Sequence, residues 1–199
     1  MIKSRLDLKY FLKADAIAIG AGTKKPHLIS IYETDVIWKY QINLRKAEYY
    51  YNVKRHSIIG YILTKFYQYT LFRKQVATGI IIPLNVFGPG LSIAHLGPVI
   101  INGKAKVGKN CRLHPFTTIG MDGREDDVAI IGDNVYISTG AKIIGAVRIA
   151  DDCCIGAGAV VTRSIDASHT TWAGVPAKKI SNNGSSFPMD RRGADIARI

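Results

Sequence analysis

A six-residue repeat in the second half of the chain limits what this sequence can fold into. Successive hexads over residues 131–166 are IGDNVY, ISTGAK, IIGAVR, IADDCC, IGAGAV and VTRSID. Each begins with Ile or Val, and the residue four places later is small or β-branched. Such a repeat is typical of a β-helix, in which each hexad supplies one short strand and one turn and three hexads close a triangular coil. Because no coil is stable alone, the repeat predicts a stack of coils around a continuous apolar column.

The first residue of each hexad, here called the lead position, is predicted to point into this column. The lead positions are Ile131, Ile137, Ile143, Ile149, Ile155 and Val161, and the same frame run backwards adds Ile119, Leu113, Val107 and Ile101. The next step back falls on His95, in the segment LSIAHLGPVIIN. An imidazole buried there without a partner would cost on the order of 1–3 kcal/mol. His95 is therefore either a satisfied core histidine or the base of an active site.

The first 78 residues follow a helical pattern instead. Ser4-x-x-Asp7 resembles a capping box at the start of a first helix that ends near Gly20. Further helices are predicted at about 35–51 and 57–77, the second of them with isoleucines and a phenylalanine at helical spacing.

Three regions follow from these patterns. We predict an α-helical N-terminal region at 1–78, a β-helix at 79–180 and a flexible C-terminal tail at 181–199. The fold class is therefore mainly β: a parallel β-helix of hexapeptide repeats behind a small helical region. Cys153 falls on a small interior position of the repeat and is expected to be structural.

The formal net charge is +12, and most of it lies in the helical region. Residues 1–78 hold 14 Lys/Arg against 5 Asp/Glu. This surplus could attract nucleic acid, an anionic membrane surface or a phosphorylated ligand, or it could be solvated charge on helices whose tyrosines pack inward. No nucleic-acid-binding signature accompanies it, so we expect no nucleic-acid partner.

Location is indicated by cysteine usage and hydropathy. The three cysteines form neither a CxxC pair nor an evenly spaced framework, which favours a reducing, cytoplasmic compartment. Lys65 interrupts the most apolar segment, SIIGYILTKFYQY, so neither a signal peptide nor a membrane span is predicted.

The hexads and the closing TTWAGVPAKKI resemble the left-handed β-helix acyltransferases. The layout of a helical region, GPGLSIAHLGPVIIN and GVPAKKI is similar to the serine acetyltransferase family, and more narrowly to its members among bacterial polysaccharide biosynthesis enzymes. The resemblance covers roughly residues 35–180. It implies left-handed coils, acetyl-CoA as the acyl donor, no metal, and a homotrimer that binds coenzyme A in grooves between subunits.

The resemblance also assigns roles to individual residues. His95 matches the family's general base, which removes the proton from an acceptor hydroxyl as its oxygen attacks the thioester. His114, 19 residues later, is expected beside the same cleft, and Asp35 or the loop acids Glu125, Asp126 and Asp127 could orient His95. The coenzyme A residues implied by the match are Thr139, Ala157, Thr162, Arg163, Gly174 and Lys178, with Lys179 as a further phosphate contact.

Two departures from the family bear on the acceptor. Serine acetyltransferases usually carry an aspartate before this histidine and a second histidine in an extruded loop, whereas this chain has Ala94 and the loop MDGREDDVA. We therefore expect an O-acetyltransferase acting on a small-molecule or lipid-linked saccharide in bacterial surface polysaccharide biosynthesis. The basic N-terminal region would hold it at the inner face of the membrane. The alternatives are a serine O-acetyltransferase of cysteine biosynthesis and a non-catalytic β-helix scaffold.

Overall fold

The structure, a computed structural model, describes residues 1–22, 26–27, 29–123, 128–186 and 192–197. The helices are α1 (Arg5–Ala18), α2 (Glu33–Tyr49), which continues into a π-helical turn (Tyr50–Lys54), α3 (Ile58–Thr78) and α4 (Gly193–Ile196). The strands are β1 (Ile80–Ile81), β2 (Ser92–Ile93), β3 (Val99–Ile101), β4 (Lys106–Val107), β5 (Arg112–Leu113), β6 (Thr118–Gly120), β7 (Ile130–Ile131), β8 (Tyr136–Ile137), β9 (Lys142–Ile144), β10 (Arg148–Ile149), β11 (Cys154–Ile155), β12 (Val160–Val161), β13 (Thr171–Ala173) and β14 (Lys178–Ser181).

The strands stack into three sheets that form the faces of a β-helix. Their orders are β1-β3-β6-β9-β12, β4-β7-β10 and β2-β5-β8-β11-β13-β14. Neighbouring strands come from successive coils and pair in parallel, except that β14 folds back antiparallel on β13. The short strands and the three-sided stack are what the hexapeptide repeat predicts.

The predicted apolar column is the core of the molecule. Every lead position from Ile101 to Val161 is buried, and so are the small or β-branched residues four places after the last six leads. Cys153 is one of these interior residues, as predicted, with no exposed surface.

The hexad frame fails at the first coil, where it passes through His95. Ile93 is the buried apolar residue of β2 and pairs with Leu113, twenty residues later, whereas Ile101 pairs with Ile119, eighteen residues later. The first coil therefore holds two additional residues between β2 and β3. These shift His95 to an outer corner, where its side chain is 61% exposed. The prediction that His95 occupies an interior lead position is wrong.

The helical region begins and ends as local signals predict, with one shift. Ser4 Oγ accepts a hydrogen bond from Asp7 N at 3.0 Å, and Ser57 Oγ accepts one from Gly60 N at 3.1 Å. Helix α3 ends at Gly79, whose φ of 72° suits glycine. Helix α2 begins two residues earlier than predicted, which places Glu33 in its first turn.

A buried ion-pair cluster attaches the helices to the first coil. Arg45 of α2 donates to Asp15 of α1 at 2.8 Å and to Glu48 at 3.0 Å, and all three side chains are almost fully buried. The remaining Arg45 donors reach the carbonyl oxygens of Phe87 and Gly88 at 3.0 and 2.7 Å. Because a buried charge is tolerated only when its donors are satisfied, this cluster fixes α2 relative to the β-helix.

The described part of the tail packs against the folded body. Ser185 is fully buried, and α4 packs on α1 with Gly193 and Ala194 buried. Tyr10 Oη donates to Ala194 O at 2.9 Å, and Ala194 N donates to Asn110 Oδ1 at 2.8 Å. The polar composition of the tail indicated flexibility, but these contacts satisfy its backbone groups against the folded body.

None of the helices in the described parts of the chain combines the length and the apolar character needed to span a bilayer.

Candidate active site

Two histidines meet at one corner of the β-helix. His95 lies two residues after the inward-pointing Ile93 of β2, and His114 directly follows Leu113 of β5, the next strand of the same sheet. Their ring centroids are 6.1 Å apart. The two rings are therefore neighbours, and a shared cleft for His95 and His114 stays a prediction.

Glu33 is the carboxylate partner of His95. Its Oε2 lies 3.1 Å from His95 Nδ1, and its Oε1 accepts a hydrogen bond from Leu96 N at 2.5 Å. The Leu96 N–H, and then the bond to His95, lower the pKa of Glu33, so the carboxylate stays ionised. An ionised acceptor at Nδ1 favours the tautomer with its proton on that nitrogen, which leaves Nε2 free to accept a proton.

Asp35, one of the predicted partners of His95, lies elsewhere. Its carboxylate contacts His27 Nδ1 at 2.7 Å, and this bond lowers the pKa of Asp35. The other predicted partners, Glu125, Asp126 and Asp127, lie outside the described residues. The sequence did not point to Glu33, because nothing in its spacing relates it to a histidine 62 residues later.

His114 is more enclosed than His95. Its Nε2 is buried and has no hydrogen-bond partner among the described residues, and its ring lies 5.0 Å from that of Tyr136. Burial, and then the neighbouring positive charge of Arg112, lower the pKa of His114. His114 is therefore favoured in its neutral form.

A cavity of about 280 Å³ is lined by chain neighbours of His95 and Glu33, although neither of these two side chains lines it. Its lining residues are Ala18, Ile19, Thr34, Ile37, Ile93, Ala94 and Arg112. Thr34 is the chain neighbour of Glu33, and Ala94 that of His95, so the cavity adjoins the pair. Arg112 Nη1 donates to Ser92 Oγ at 2.8 Å, and no carboxylate of the described residues lies within ion-pair distance of the guanidinium. Arg112 gives this cavity a positive charge.

Three predicted coenzyme A residues lie with His95 along one outer corner of the β-helix, in a row here called the corner column. The strand registers pair Ile93, Leu113, Ile137, Ile155 and Trp172 in successive coils. The residues two places later are His95, Pro115, Thr139, Ala157 and Gly174, which therefore occupy equivalent positions along one corner. Hydrogen bonds join this column, including Thr139 Oγ1 to Pro115 O at 3.0 Å and Gly158 N to Thr139 O at 2.9 Å. The column spans four coil steps, about 19 Å at the ordinary strand spacing.

The four other predicted coenzyme A residues lie off this column. Thr162 and Arg163 follow β12 at the next corner, and both are exposed. Lys178 and Lys179 belong to β14 and pair with Ala173 and Trp172. Lys178 therefore lies next to the lower end of the column, because Ala173 precedes Gly174.

Comparisons with known proteins agree with this architecture. Residues 129–163 match the bacterial transferase hexapeptide (six repeats) family. The chain is 30% identical over 122 residues to a serine acetyltransferase of Bacillus pumilus, covering 60% of this chain and 56% of that protein. It is 33% identical over 127 residues to a serine acetyltransferase of Mycobacterium tuberculosis, covering 61% and 55%. The chain spans about half the length of the curated relatives that it matches.

Solved structures show the same likeness over more of the chain. A serine acetyltransferase of Brucella abortus superposes with a TM-score of 0.68 at 23% identity, covering 91% of this chain and 72% of that one. A serine acetyltransferase in complex with CoA gives 0.66 at 21%, covering 88% and 71%. The Neisseria gonorrhoeae enzyme in complex with serine gives 0.63 at 26%, covering 89% and 71%.

These comparisons correct the expected acceptor. We expected a sugar hydroxyl in surface polysaccharide biosynthesis, chiefly because two acceptor residues of the family pattern are missing. The curated and structural relatives are instead serine acetyltransferases, which favours the alternative acceptor, so the polysaccharide prediction is wrong. The chain has the fold of the serine acetyltransferases and carries the hexapeptide repeat of bacterial transferases.

Proposed function

We propose that this protein is an acetyl-CoA-dependent O-acetyltransferase whose acceptor is L-serine. The observation that carries the proposal is the His95–Glu33 pair at the head of a column of predicted coenzyme A residues. The serine acetyltransferases that it resembles, among them structures solved with CoA and with serine, supply the donor and the acceptor.

In this reaction His95 acts as the general base. Glu33 accepts a hydrogen bond from Nδ1–H of His95 and holds the ring, so Nε2 removes the proton of the serine hydroxyl as that oxygen attacks the thioester carbonyl. The bond between the carbonyl carbon and sulfur breaks, and the coenzyme A thiolate recovers a proton. The products are O-acetylserine and coenzyme A. No covalent intermediate on the enzyme is needed, because the serine oxygen attacks the thioester carbonyl directly.

Arg112 supports an acceptor that carries a carboxylate. Its guanidinium lines the cavity next to His95, and a planar fork of N–H donors suits a carboxylate better than a neutral hydroxyl. If Arg112 binds the carboxylate of serine, the serine hydroxyl would lie toward Ala94 and, beyond it, His95. Arg112 and Glu33 would thus take the place of the family's usual aspartate and loop histidine, which this chain lacks.

The donor is proposed to lie along the corner column. Thr139, Ala157 and Gly174 are exposed and carry small side chains, so an extended pantetheine arm can approach the turn backbone. Arg163, Lys178 and Lys179 are exposed cations for the coenzyme phosphates, while Thr162 lies beside Arg163. We also infer left-handed coils and a homotrimer, because the family resemblance implies both.

The proposal is tested by following thiol release from acetyl-CoA with L-serine or L-serinamide as acceptor. The wild type is compared with His95→Gln and with the matched control His56→Gln, which changes an exposed histidine outside the site. We expect release that depends on serine, that falls with serinamide, and that drops by about 10²–10⁴-fold in H95Q alone. Mass spectrometry of the product should show O-acetylserine.

Three results would each contradict a different part of this proposal. Failure of acetyl-CoA to raise the melting temperature would exclude it as donor, because a ligand of the folded state must stabilise that state. Full activity in H95Q would remove His95 as the base. Equal release with serine and serinamide would exclude carboxylate recognition.

A further inference from the structure

Helix α3 carries a long apolar surface that nothing in the described structure covers. The exposed large side chains on it are Ile58, Ile59, Tyr61, Ile62, Phe66, Tyr69, Phe72 and Val76, here called the outer face of α3. The opposite side of the helix, with Gly60, Thr64 and Leu71, is the side that is buried. At 100° per residue the outer face occupies about 160° of the helix circumference.

This surface is exposed from one end of the helix to the other. Ile58 in its first turn is 83% exposed and Val76 in its last turn is 68% exposed. Tyr61 and Tyr69 are also exposed, whereas Tyr67 of the same helix packs against the core, so the interpretation in which the basic region packs its tyrosines inward holds only for Tyr67 in α3. A contiguous apolar patch of this length on a folded protein indicates an interaction surface.

The charges on and around this surface are all positive. Lys65 and Arg73 lie within the outer face, and Lys54 and Arg55 lie just before the helix. The Lys65 ammonium lies 5.4 Å from the Tyr61 ring centroid, and Arg73 donates to Tyr69 Oη at 3.1 Å. The sequence contains no Asp or Glu at all from residue 49 to residue 121.

The positive charge favours one of two possible partners for the outer face of α3, a second copy of the chain or a lipid bilayer. A second copy of the chain, related by a twofold axis through this face, would bring Lys65 and Arg73 against their own equivalents with no local carboxylate to neutralise them. A bilayer with anionic headgroups offers phosphates to the cations and an acyl boundary to the isoleucines and aromatic rings. Lys and Arg within an apolar helix face can extend their charged ends toward the headgroups.

We propose that the outer face of α3 docks the protein on an anionic lipid bilayer. The helix lies in the plane of the interface, and its cations engage lipid phosphates. This proposal is independent of the acceptor and of the His95 chemistry.

Vesicle co-sedimentation tests it with the full chain. The probes are vesicles of phosphatidylcholine alone and of phosphatidylcholine with phosphatidylglycerol, each at low and high salt. The variants are I62S/F66S/F72S, which removes apolar surface, and K65Q/R73Q, which removes charge. Matched controls are Leu6→Ser and Lys9→Gln, exposed residues of the same types on α1. Circular dichroism melting and sedimentation velocity check the fold and the oligomeric state of every variant.

The expected result is binding to the anionic vesicles that weakens with salt. Binding should fall at least tenfold in each α3 variant and stay unchanged in the α1 controls, with melting and oligomeric state as in the wild type. The proposal is overturned if the wild type binds neither vesicle, or if the folded α3 variants bind as well as the wild type. A variant that lowers the oligomeric state would show instead that the outer face joins copies of this chain, and this too would overturn it.

Discussion

Glu33 Oε2 lies 3.1 Å from His95 Nδ1, although the two residues are 62 positions apart and belong to different regions of the chain. Glu33 stands in the first turn of α2, and His95 at a corner of the first coil. The buried cluster of Arg45, Asp15 and Glu48 holds α2 against that coil. The helical region is therefore part of the candidate active site.

The first prediction concerns this pair. Glu33→Gln retains an oxygen for the Leu96 N–H but removes the charge that stabilises a protonated His95. We expect kcat to fall by at least about tenfold, within the ~10⁴-fold limit seen when a triad carboxylate is replaced, while KM for acetyl-CoA stays the same. Steady-state thiol release measures both. Asp166→Asn, an exposed acid outside the site, is the control, and equal losses in the two variants would contradict the assignment.

A second prediction concerns Arg112. Arg112→Gln should raise KM for L-serine by about 10–100-fold, because a hydrogen bond to a charged group contributes about 1.5–3 kcal/mol. KM for acetyl-CoA should not change, and activity with serinamide should fall much less than activity with serine. If serine and serinamide lose activity to the same extent, Arg112 does not bind the acceptor carboxylate.

A third prediction follows from the lowered pKa of His114. Its folded-state pKa lies below the unfolded value of 6.5, so the unfolded chain binds more protons between the two values. His114 therefore lowers the free energy of unfolding as the pH falls below 6.5, and it has no such effect well above that pH. Urea unfolding at a series of pH values should show a shallower acid loss in His114→Gln than in the wild type. Parallel curves would contradict the enclosed position of this ring.

A fourth prediction tests the buried cluster. Arg45→Met leaves Asp15 and Glu48 buried without their cation, and we expect a loss of about 3–5 kcal/mol in the free energy of unfolding. Arg148→Met, at an exposed strand position, should change it by less than about 0.5 kcal/mol. Chemical denaturation compares them. A small effect of Arg45→Met would mean that the helices do not depend on this cluster for their position.

A fifth prediction concerns the ordered tail. Gly193 packs so closely against Ala14 of α1 that any added side chain must displace α4. Gly193→Val should therefore lower the melting temperature, whereas Gly123→Val, at a position with open space, should affect it only through its backbone angle. If α4 were loosely attached, Gly193→Val would melt as the wild type does.

The sequence determined the β-helix and its core because the repeat is a local property. Each coil buries the same positions, so Ile, Val or Leu at the lead positions specifies the strands from Ile101 to Ile119 and from Ile131 to Val161 without reference to distant segments. The helix ends at Ser4, Ser57 and Gly79 are local in the same way, since capping involves neighbours along the chain.

Only the tertiary structure decided the partner of His95, the position of Arg112 and the exposure of α3. The two additional residues after Ile93 move His95 from the buried apolar column to an outer corner. The six-residue repeat does not predict an insertion of two residues. Glu33 reaches His95 because α2 packs on the first coil, and the outer face of α3 is left open because the opposite side of that helix packs instead. These relationships join segments that are far apart in the chain, so they depend on how the helices dock on the coils rather than on local preference.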